Sequence, residues 1–135
     1  MRYIAFRRAV RRDPTHASWH HRLGKSLLRL SEWHASSVAL QVACELEPTG
    51  DRYFDLAVAL QRQQLWQQSA EAYEQAVRLD GPDANRVYRL GSVQREMENW
   101  AGAAALYRSS LEQQDVPGHR FLLGFALERL EDWGG

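Results

Sequence analysis

The segment Leu23-Gly24-Lys25-Ser26-Leu27-Leu28-Arg29-Leu30-Ser31-Glu32-Trp33 decides the fold of this chain of 135 residues, because its key features recur along the sequence. A leucine is followed by a small residue, and a tryptophan stands nine positions after that small residue. The same arrangement returns at spacings of 33, 34 and 33 residues. The small residues are Gly24, Ala57, Gly91 and Gly124, and the tryptophans are Trp33, Trp66, Trp100 and Trp133. Self-similarity at such a period indicates repeated supersecondary units.

Each unit predicts two helices joined by a short polar break. Leu23, Leu27 and Leu30 recur at helical spacing before Trp33, which predicts a first helix over about 17–30. A second helix is predicted over about 33–46, because the proline at position 48 cannot continue a helix. The small residue of the first helix lets the two helices approach closely. The same pattern predicts helices at about 50–63, 66–79, 84–97 and 100–113.

The residues of these units resemble the tetratricopeptide repeat, whose pattern combines a large residue, Leu-Gly, aromatics, small residues and a terminal proline. The matching residues are His20, Leu23, Gly24, Leu27, Ser36, Leu40, Ala43 and Pro48 in the first unit, Tyr53, Leu56, Ala57, Leu60, Ser69, Tyr73 and Ala76 in the second, and Val87, Leu90, Gly91, Ala103, Tyr107 and Ser110 in the third. Gln94 departs from the pattern. The resemblance implies an all-α fold, a right-handed α-solenoid of antiparallel helix hairpins.

The repeat frame assigns the whole chain to one array. Residues 1–13 are predicted to be the second helix of a partial repeat, with Phe6, Ala9 and Pro14 in register. Full repeats are predicted at 17–49, 50–83 and 84–116, and residues 117–135 are predicted to be the first helix of a truncated repeat. We therefore expect eight helices, no strand, and either an excerpt from a longer array or a minimal one.

Composition and charge exclude several classes of function. Lys plus Arg and Asp plus Glu both total 17, which argues against a nucleic-acid partner, because phosphate binding needs a basic excess. Arg7, Arg8, Arg11 and Arg12 form a basic run, which we interpret as a solvated helix face rather than a membrane or nucleic-acid patch. No apolar run is long enough to span a bilayer, and the start becomes charged too soon for a signal peptide. The single cysteine, Cys44, favours a reducing compartment, and we expect a cytoplasmic chain.

Residues that carry catalysis or bind metals do not form a recognisable constellation. His16, His20 and His21 are close in sequence, but a zinc site needs three or four converging ligands and no nearby Cys or acid completes the set. Cys44 falls in the apolar phase of its helix, which predicts a buried thiol. The sequence contains no phosphate loop, dinucleotide fingerprint or nucleophile turn. We predict that the segment is not an enzyme and has no cofactor or metal.

In the family that the chain resembles, the first helix of each repeat lines the concave surface. The resemblance implies that the fifth, sixth, ninth and thirteenth positions of each unit face a groove. Aromatic side chains flanked by Arg suit an extended peptide that carries carboxylates, although the aromatics also serve packing alone. The candidate groove residues are His21, Arg22, Lys25, Arg29, Phe54, Arg62, Tyr88, Arg89, Phe121 and Phe125. Asp55 disfavours the Lys/Asn carboxylate clamp of some members, because its charge repels a carboxylate.

We expect a scaffold for protein–protein interaction or self-association, within a larger bacterial-type protein, that binds a peptide or protein partner. The alternative is a non-catalytic region of a larger enzyme, since Trp- and Arg-rich arrays of this kind resemble those in bacterial glycosyltransferases and envelope-polymer transferases. A spacer that binds nothing is a third possibility. Both terminal helices carry apolar residues and no polar cap, which predicts a weak homo-oligomer that forms through these helices.

Overall fold

The computed structural model describes residues 2–115 and 117–132, which form eight α-helices and no β-strand. Trp133, which continues the tryptophan series, lies outside the described residues. None of the helices in the described part is long and apolar enough to cross a membrane. The helices are α1 (Arg2–Arg12), α2 (Ala17–Arg29), α3 (Trp33–Leu46), α4 (Gly50–Arg62), α5 (Trp66–Asp80), α6 (Ala84–Glu96), α7 (Trp100–Gln113) and α8 (Pro117–Asp132).

Each helix packs against its neighbours in the sequence. The hairpins α2–α3, α4–α5 and α6–α7 are closed by three-residue turns, so the two helices of each hairpin are antiparallel. Successive hairpins then pack through α3 against α4 and through α5 against α6, while α1 packs on α2 and α8 on α7. Such neighbour-to-neighbour packing makes an α-solenoid. The all-helical fold predicted from the repeat is confirmed.

The turn inside each hairpin contains a residue in the left-handed region. Ser31, Gln64 and Glu98 have φ angles of 60°, 62° and 60°. The following residue donates its backbone N–H to a carbonyl five residues earlier, as in the bond of 3.0 Å from the Leu65 nitrogen to the Leu60 oxygen. This is the Schellman arrangement that commonly ends helices, usually with glycine at the left-handed position. The polar breaks of the sequence are therefore tight helix stops.

Close contact inside the first two full hairpins comes from small residues and a buried serine. A Cβ atom added at Gly24 would lie 2.5 Å from the Leu40 Cγ atom, so no larger residue fits without movement. The Ser36 hydroxyl donates to the Gly24 carbonyl at 2.7 Å, and the Ser69 hydroxyl donates to the Ala57 carbonyl at 2.8 Å. These bonds tie the second helix of a hairpin to the backbone of the first.

The last helix is less covered than the others. Its Ala126 is fully buried, but Phe121 is 75% exposed. No heavy atom lies within 4 Å of a Cβ atom added at Gly124, in contrast to Gly24. The close helix contact that the repeat predicts at Gly124 is thus not made within the described residues. Within the described residues, one face of α8 is uncovered.

Candidate functional site

The surface shared by α2, α4, α6 and α8, called the inner face below, carries the ten residues that the sequence singled out. At its first step, the imidazole Nε2 atom of His21 on α2 lies 2.8 Å from the Asp55 Oδ2 atom on α4, with both side chains about four-fifths buried. Asp55 is therefore engaged by His21. A fifth-position residue of one unit here contacts a sixth-position residue of the next.

The next contact joins the same two repeat positions, but through an aromatic ring and an arginine. The ring of Phe54 on α4 lies 5.5 Å from the Arg89 Cζ atom and 5.6 Å from the Arg86 Cζ atom, both on α6. Phe54 also packs edge-on against the fully buried Tyr73, with 5.7 Å between ring centroids. Cation–π contacts of this kind stabilise by about 0.5–2 kcal/mol. Part of the surface of the Phe54 ring is thus covered by contacts between hairpins.

Tyr88 makes the third step. Its ring stacks on His119 of α8 with 4.0 Å between centroids and an interplanar angle of 13°, and it contacts Tyr107 at 6.0 Å. Phe125 packs edge-on against Trp100 at 5.8 Å. Of the four aromatic groove candidates, Phe121 alone is mostly exposed, and the others are about half-buried. The aromatic ladder therefore contributes to packing as well as lining the inner face.

The thirteenth-position arginines pack on the tryptophans that the repeat spacing revealed. The Arg62 Cζ atom lies 5.6 Å from the Trp33 ring centroid, and the Arg129 Cζ atom lies 5.8 Å from that of Trp100. Each arginine thus reaches back to the tryptophan of the preceding hairpin. Glu96 holds the equivalent position in α6. The sequence reasoning assigned Arg62 to ligand contact and missed this structural contact.

Three cations surround a cavity between α1 and α2. Arg22, Lys25 and Arg29 are exposed, and with Phe6 and Ser26 they line a cavity of about 220 Å³. Within the described residues, none of the three forms an ion pair, and α2 contains neither Asp nor Glu. Like charges three and four positions apart on a helix repel one another. An anion in this cavity would therefore be stabilised.

Arg89 supplies a further cation at the middle of the inner face. It forms no ion pair in the described part of the chain, and its buried Nε atom has no hydrogen-bond partner. Burial raises the pKa of the Tyr73 hydroxyl, while the nearby guanidinium groups of Arg89 and Arg62 lower it in part. That hydroxyl donates to the Gln61 Oε1 atom at 2.7 Å. Arg62 and Arg89 therefore both lie near the Tyr73 hydroxyl.

Comparison with solved structures identifies the fold that carries this face. A crystal structure of MamA superposes with a TM-score of 0.81 at 19% identity, covering 98% of this chain and 88% of that one. The tetratricopeptide-repeat domain of Arabidopsis OM64 superposes with a TM-score of 0.75 at 17% identity, covering 82% of this chain and 93% of that domain. The chain has the tetratricopeptide-repeat fold. Its helices α2, α4, α6 and α8 are thus A helices, and α1, α3, α5 and α7 are B helices.

A third similar structure is YrrB, described as a tetratricopeptide-repeat protein with an unusual peptide-binding site. It superposes with a TM-score of 0.79 at 19% identity, covering 96% of this chain and 72% of that one. No protein-family model matches the sequence, and a search of curated proteins finds no match. These likenesses therefore establish the tetratricopeptide-repeat fold and leave the ligand open.

Arginines at the third position of two A helices join neighbouring repeats, and the sequence reasoning missed them. Arg52 is buried and donates to the Glu47 carbonyl at 2.9 Å. Arg86 forms ion pairs with Asp51, Asp80 and Asp83 at 2.9–3.2 Å, with a side chain only 15% exposed. The signal in the sequence was an arginine two residues after the first residue of each of these helices. Both arginines therefore stabilise junctions between repeats.

The histidines and the cysteine of the tetratricopeptide-repeat array are held in separate contacts. The His20 Nε2 atom lies 2.7 Å from the Pro14 carbonyl oxygen, and the His16 ring lies 5.1 Å from that of Trp19. No group of three or more His, Cys, Asp or Glu residues that could hold a metal occurs among the described residues. Cys44 is 2% exposed, and burial raises its pKa to about 11.

Proposed function

We propose that this chain is a protein-interaction scaffold whose inner face binds an extended peptide that carries carboxylates. One observation carries the proposal: five cations of the inner face form no ion pair in the described chain, although the sequence holds as many acidic as basic residues. These cations are Arg22, Lys25, Arg29, Arg62 and Arg89. A carboxylate-bearing ligand would supply the missing partners.

The geometry of the face supports a ligand that crosses several A helices. Exposed cations on α2 are followed by Arg62 on α4 and by half-buried Arg89 on α6, so a peptide running across the helices meets them in turn. Guanidinium groups form charge-assisted, forked bonds with carboxylates. YrrB, which shares the fold, is described as having a peptide-binding site. The partly exposed faces of Phe54 and Tyr88 would contact apolar side chains of the peptide.

A peptide-binding assay tests the proposal. The probe is a fluorescein-labelled peptide with Asp and Glu interspersed among Leu and Phe. We expect Arg62→Gln with Arg89→Gln to weaken its binding by about 1–4 kcal/mol, as truncation of binding hot spots does, and Tyr88→Ala with Arg89→Ala to do the same. The control Arg78→Gln with Arg108→Gln removes two exposed cations of B helices and should leave affinity unchanged. Equal affinity in all variants would move the site off the inner face.

Self-association is a second candidate, favoured by the open face of α8. Phe121 is 75% exposed, no other described part of the chain comes within 4 Å of a Cβ atom added at Gly124, and Ile4 of α1 is 40% exposed. We propose weak, concentration-dependent association of chains through these terminal helices. Light scattering over a wide concentration range tests it, with Phe121→Ser expected to shift the chain toward monomer. A chain that stays monomeric at millimolar concentration excludes this association.

The repeat boundaries, the larger protein around this chain and its cellular location are also proposals. We propose that residues 17–49, 50–83 and 84–116 are full repeats, flanked by a B helix at 1–13 and an A helix at 117–135, within a larger bacterial-type protein. We also infer a reducing, cytoplasmic location, which the buried free thiol of Cys44 supports. A catalytic domain in the same polypeptide would instead favour the non-catalytic region of an enzyme. The full-length coding sequence decides between these settings.

A further inference from the structure

A groove lies between the B helices α3 and α5, lined by none of the ten inner-face residues, and is called the outer groove. It consists of two adjoining cavities of about 570 and 300 Å³. Gln41 of α3, Leu56 and Leu60 of α4, and Gln68 of α5 line both cavities. The outer groove is therefore one continuous depression, with α4 as its floor and the two B helices as its walls.

The floor of the outer groove is apolar. Leu56, Leu60 and Ala72 are 3%, 7% and 5% exposed, and Tyr53 lies beside them. At the α3 wall, Val38 is 53% exposed and lines the smaller cavity. A floor of this kind accepts the apolar face of a ligand, because every apolar group transferred from water to the floor contributes to binding.

The rim of the outer groove is acidic. Glu45, Glu71 and Glu74 line the cavities, and no Lys or Arg lines either one. The Glu45 carboxylate accepts from the Gln41 amide, and the Glu71 carboxylate accepts from the Gln67 amide, both at 3.2 Å. Both donors are neutral amides, and among the described residues none of the three rim carboxylates forms an ion pair. A ligand with basic groups beside an apolar face would neutralise the negative charge of the rim.

This acidity is specific to one groove and is not a general property of the repeat. Counted from the tryptophan that begins each B helix, Glu45 of α3 corresponds to Arg78 of α5. Glu74 of α5 corresponds to Arg108 of α7 by the same count. The next space along the outer side, between α5 and α7, therefore has cations at two of the corresponding places. Packing of the repeat alone does not require the acidic rim.

We propose that the outer groove binds a basic amphipathic helix of a separate partner protein. Apolar residues at helical spacing on that helix contact the Leu56 and Leu60 floor, and flanking Lys or Arg side chains pair with the three rim carboxylates. This is the helix-in-groove mode of recognition, in which an apolar face provides burial and charged edges set orientation. The ligand has the opposite charge to the one proposed for the inner face, so the two sites are independent.

The probe for this site is a synthetic amphipathic helix with Leu on one face and Lys and Arg on the other. Titration into ¹⁵N-labelled protein should shift the amide signals of Gln41, Glu45, Gln68 and Gln75. We expect Glu71→Gln with Glu74→Gln to weaken binding about tenfold, because two exposed ion pairs with the ligand are lost. The loss should shrink at high salt. Glu112→Gln is the matched control, because Glu112 is an exposed carboxylate of α7 at the place of Glu45 in its helix.

Each other outcome overturns the proposal. Shifts confined to α2 and α6, an unchanged affinity of the double variant, or the absence of saturable binding would remove the outer groove as a site for a basic helix. Concentration-dependent shifts in α1 and the outer groove without probe would assign the groove to a second copy of the chain. The acidic peptide used for the inner face should bind the Glu71→Gln and Glu74→Gln variant normally, which separates failure of one site from failure of the other.

Discussion

At the scale of single residues, the same position of the repeat has different neighbouring side chains in different repeats. Gly24 and Gly124 both follow the leucine of the repeat signature. Leu40 lies against Gly24, whereas no other described part of the chain comes within 4 Å of a Cβ atom at Gly124. Ala57 occupies the same place in α4 and is fully buried. Whether a methyl group can be added at this position of the A helix therefore depends on which side chain of the B helix lies opposite.

This difference gives a paired prediction. Gly24→Ala should lower the free energy of unfolding by about 1–3 kcal/mol, because overpacking against buried Leu40 outweighs the gain in helix propensity. Gly124→Ala should raise it by up to about 1 kcal/mol, since helix propensity acts there without a clash. Urea unfolding followed by circular dichroism measures both. Changes of the same sign in the two variants would contradict the packing at Gly24.

Cys44 gives a prediction about pH. Its pKa is raised to about 11 from an ordinary value of 9.0, chiefly because burial disfavours the thiolate. At pH 8.5 a thiol reagent should label the folded chain about a hundredfold more slowly than the urea-unfolded chain, since the thiolate is the reactive form. Equal rates would contradict the burial.

The same shift links Cys44 to stability. The unfolded chain ionises its thiol at a lower pH than the folded chain does, so the stabilisation is fully present below about pH 9 and is lost as pH rises toward 11. Burial raises the pKa of the Tyr107 hydroxyl as well, which acts in the same direction at higher pH. Cys44→Ala should therefore lose less stability than the parent chain between pH 9 and 11.

At the scale of elements, the hairpin turns place a non-glycine residue where glycine is preferred. Ser31, Gln64 and Glu98 all have φ near 60° and end their A helices. A left-handed conformation costs a residue with a Cβ atom roughly 1–2 kcal/mol. The turns are maintained because the backbone bonds of the helix stop and the packing of both helices outweigh this cost.

Gln64→Gly should accordingly raise the free energy of unfolding by about 0.5–1 kcal/mol. Glu71→Gly, an exposed position in the middle of α5, should instead lower it by about 1 kcal/mol, because glycine disfavours a helix interior. Thermal unfolding of the two variants measures the contrast. A loss of stability in Gln64→Gly would indicate that the side chain contributes to the turn in another way.

At the scale of the whole molecule, the hydrophobic core of the described residues is most extensive in the middle of the array. The largest buried cluster joins residues of α3, α4, α5 and α6 around Tyr73. By contrast, α8 packs on α7 with most of its apolar side chains partly exposed. Because a solenoid is stabilised by contacts between neighbouring repeats, its ends open more easily than its centre.

Amide hydrogen exchange tests this gradient. In dilute solution we expect the amides of α4 and α5 to exchange at least about a hundredfold more slowly than those of α1 and α8. Mass spectrometry of peptic fragments resolves the helices. Uniform protection from α1 to α8 would mean that the array opens as one cooperative unit, which the loosely covered α8 does not predict.

Charge is also organised at the scale of the whole molecule. Exposed cations collect on the inner face at α2 and α4, and carboxylates collect on the outer groove between α3 and α5. The sequence total of zero conceals this separation, since the helices interleave along the chain. Two ligands of opposite charge are therefore compatible with one neutral chain.

The amino-acid sequence was sufficient to predict the helix order and the hairpin repeat. The reason is physical: helical periodicity, the small residue of each A helix and the break before each tryptophan are local signals, and they specified helix bounds to within one residue for α2 to α7. The choice of groove residues came from the resemblance to the tetratricopeptide repeat, and ligand contact at these residues stays a prediction. The contacts that these residues make with one another cannot be read from their spacing along the chain.

The tertiary structure was needed to show which of these side chains contact residues of another helix. His21 meets Asp55, Phe54 meets Arg89, and Arg62 lies on Trp33. These contacts join residues about 30 positions apart, and their existence depends on how far each hairpin turns against the next. The outer groove likewise arises between α3 and α5, which are separated in sequence by α4. Spacing along a chain gives the face of a helix, whereas pairing across helices depends on packing that spacing does not specify.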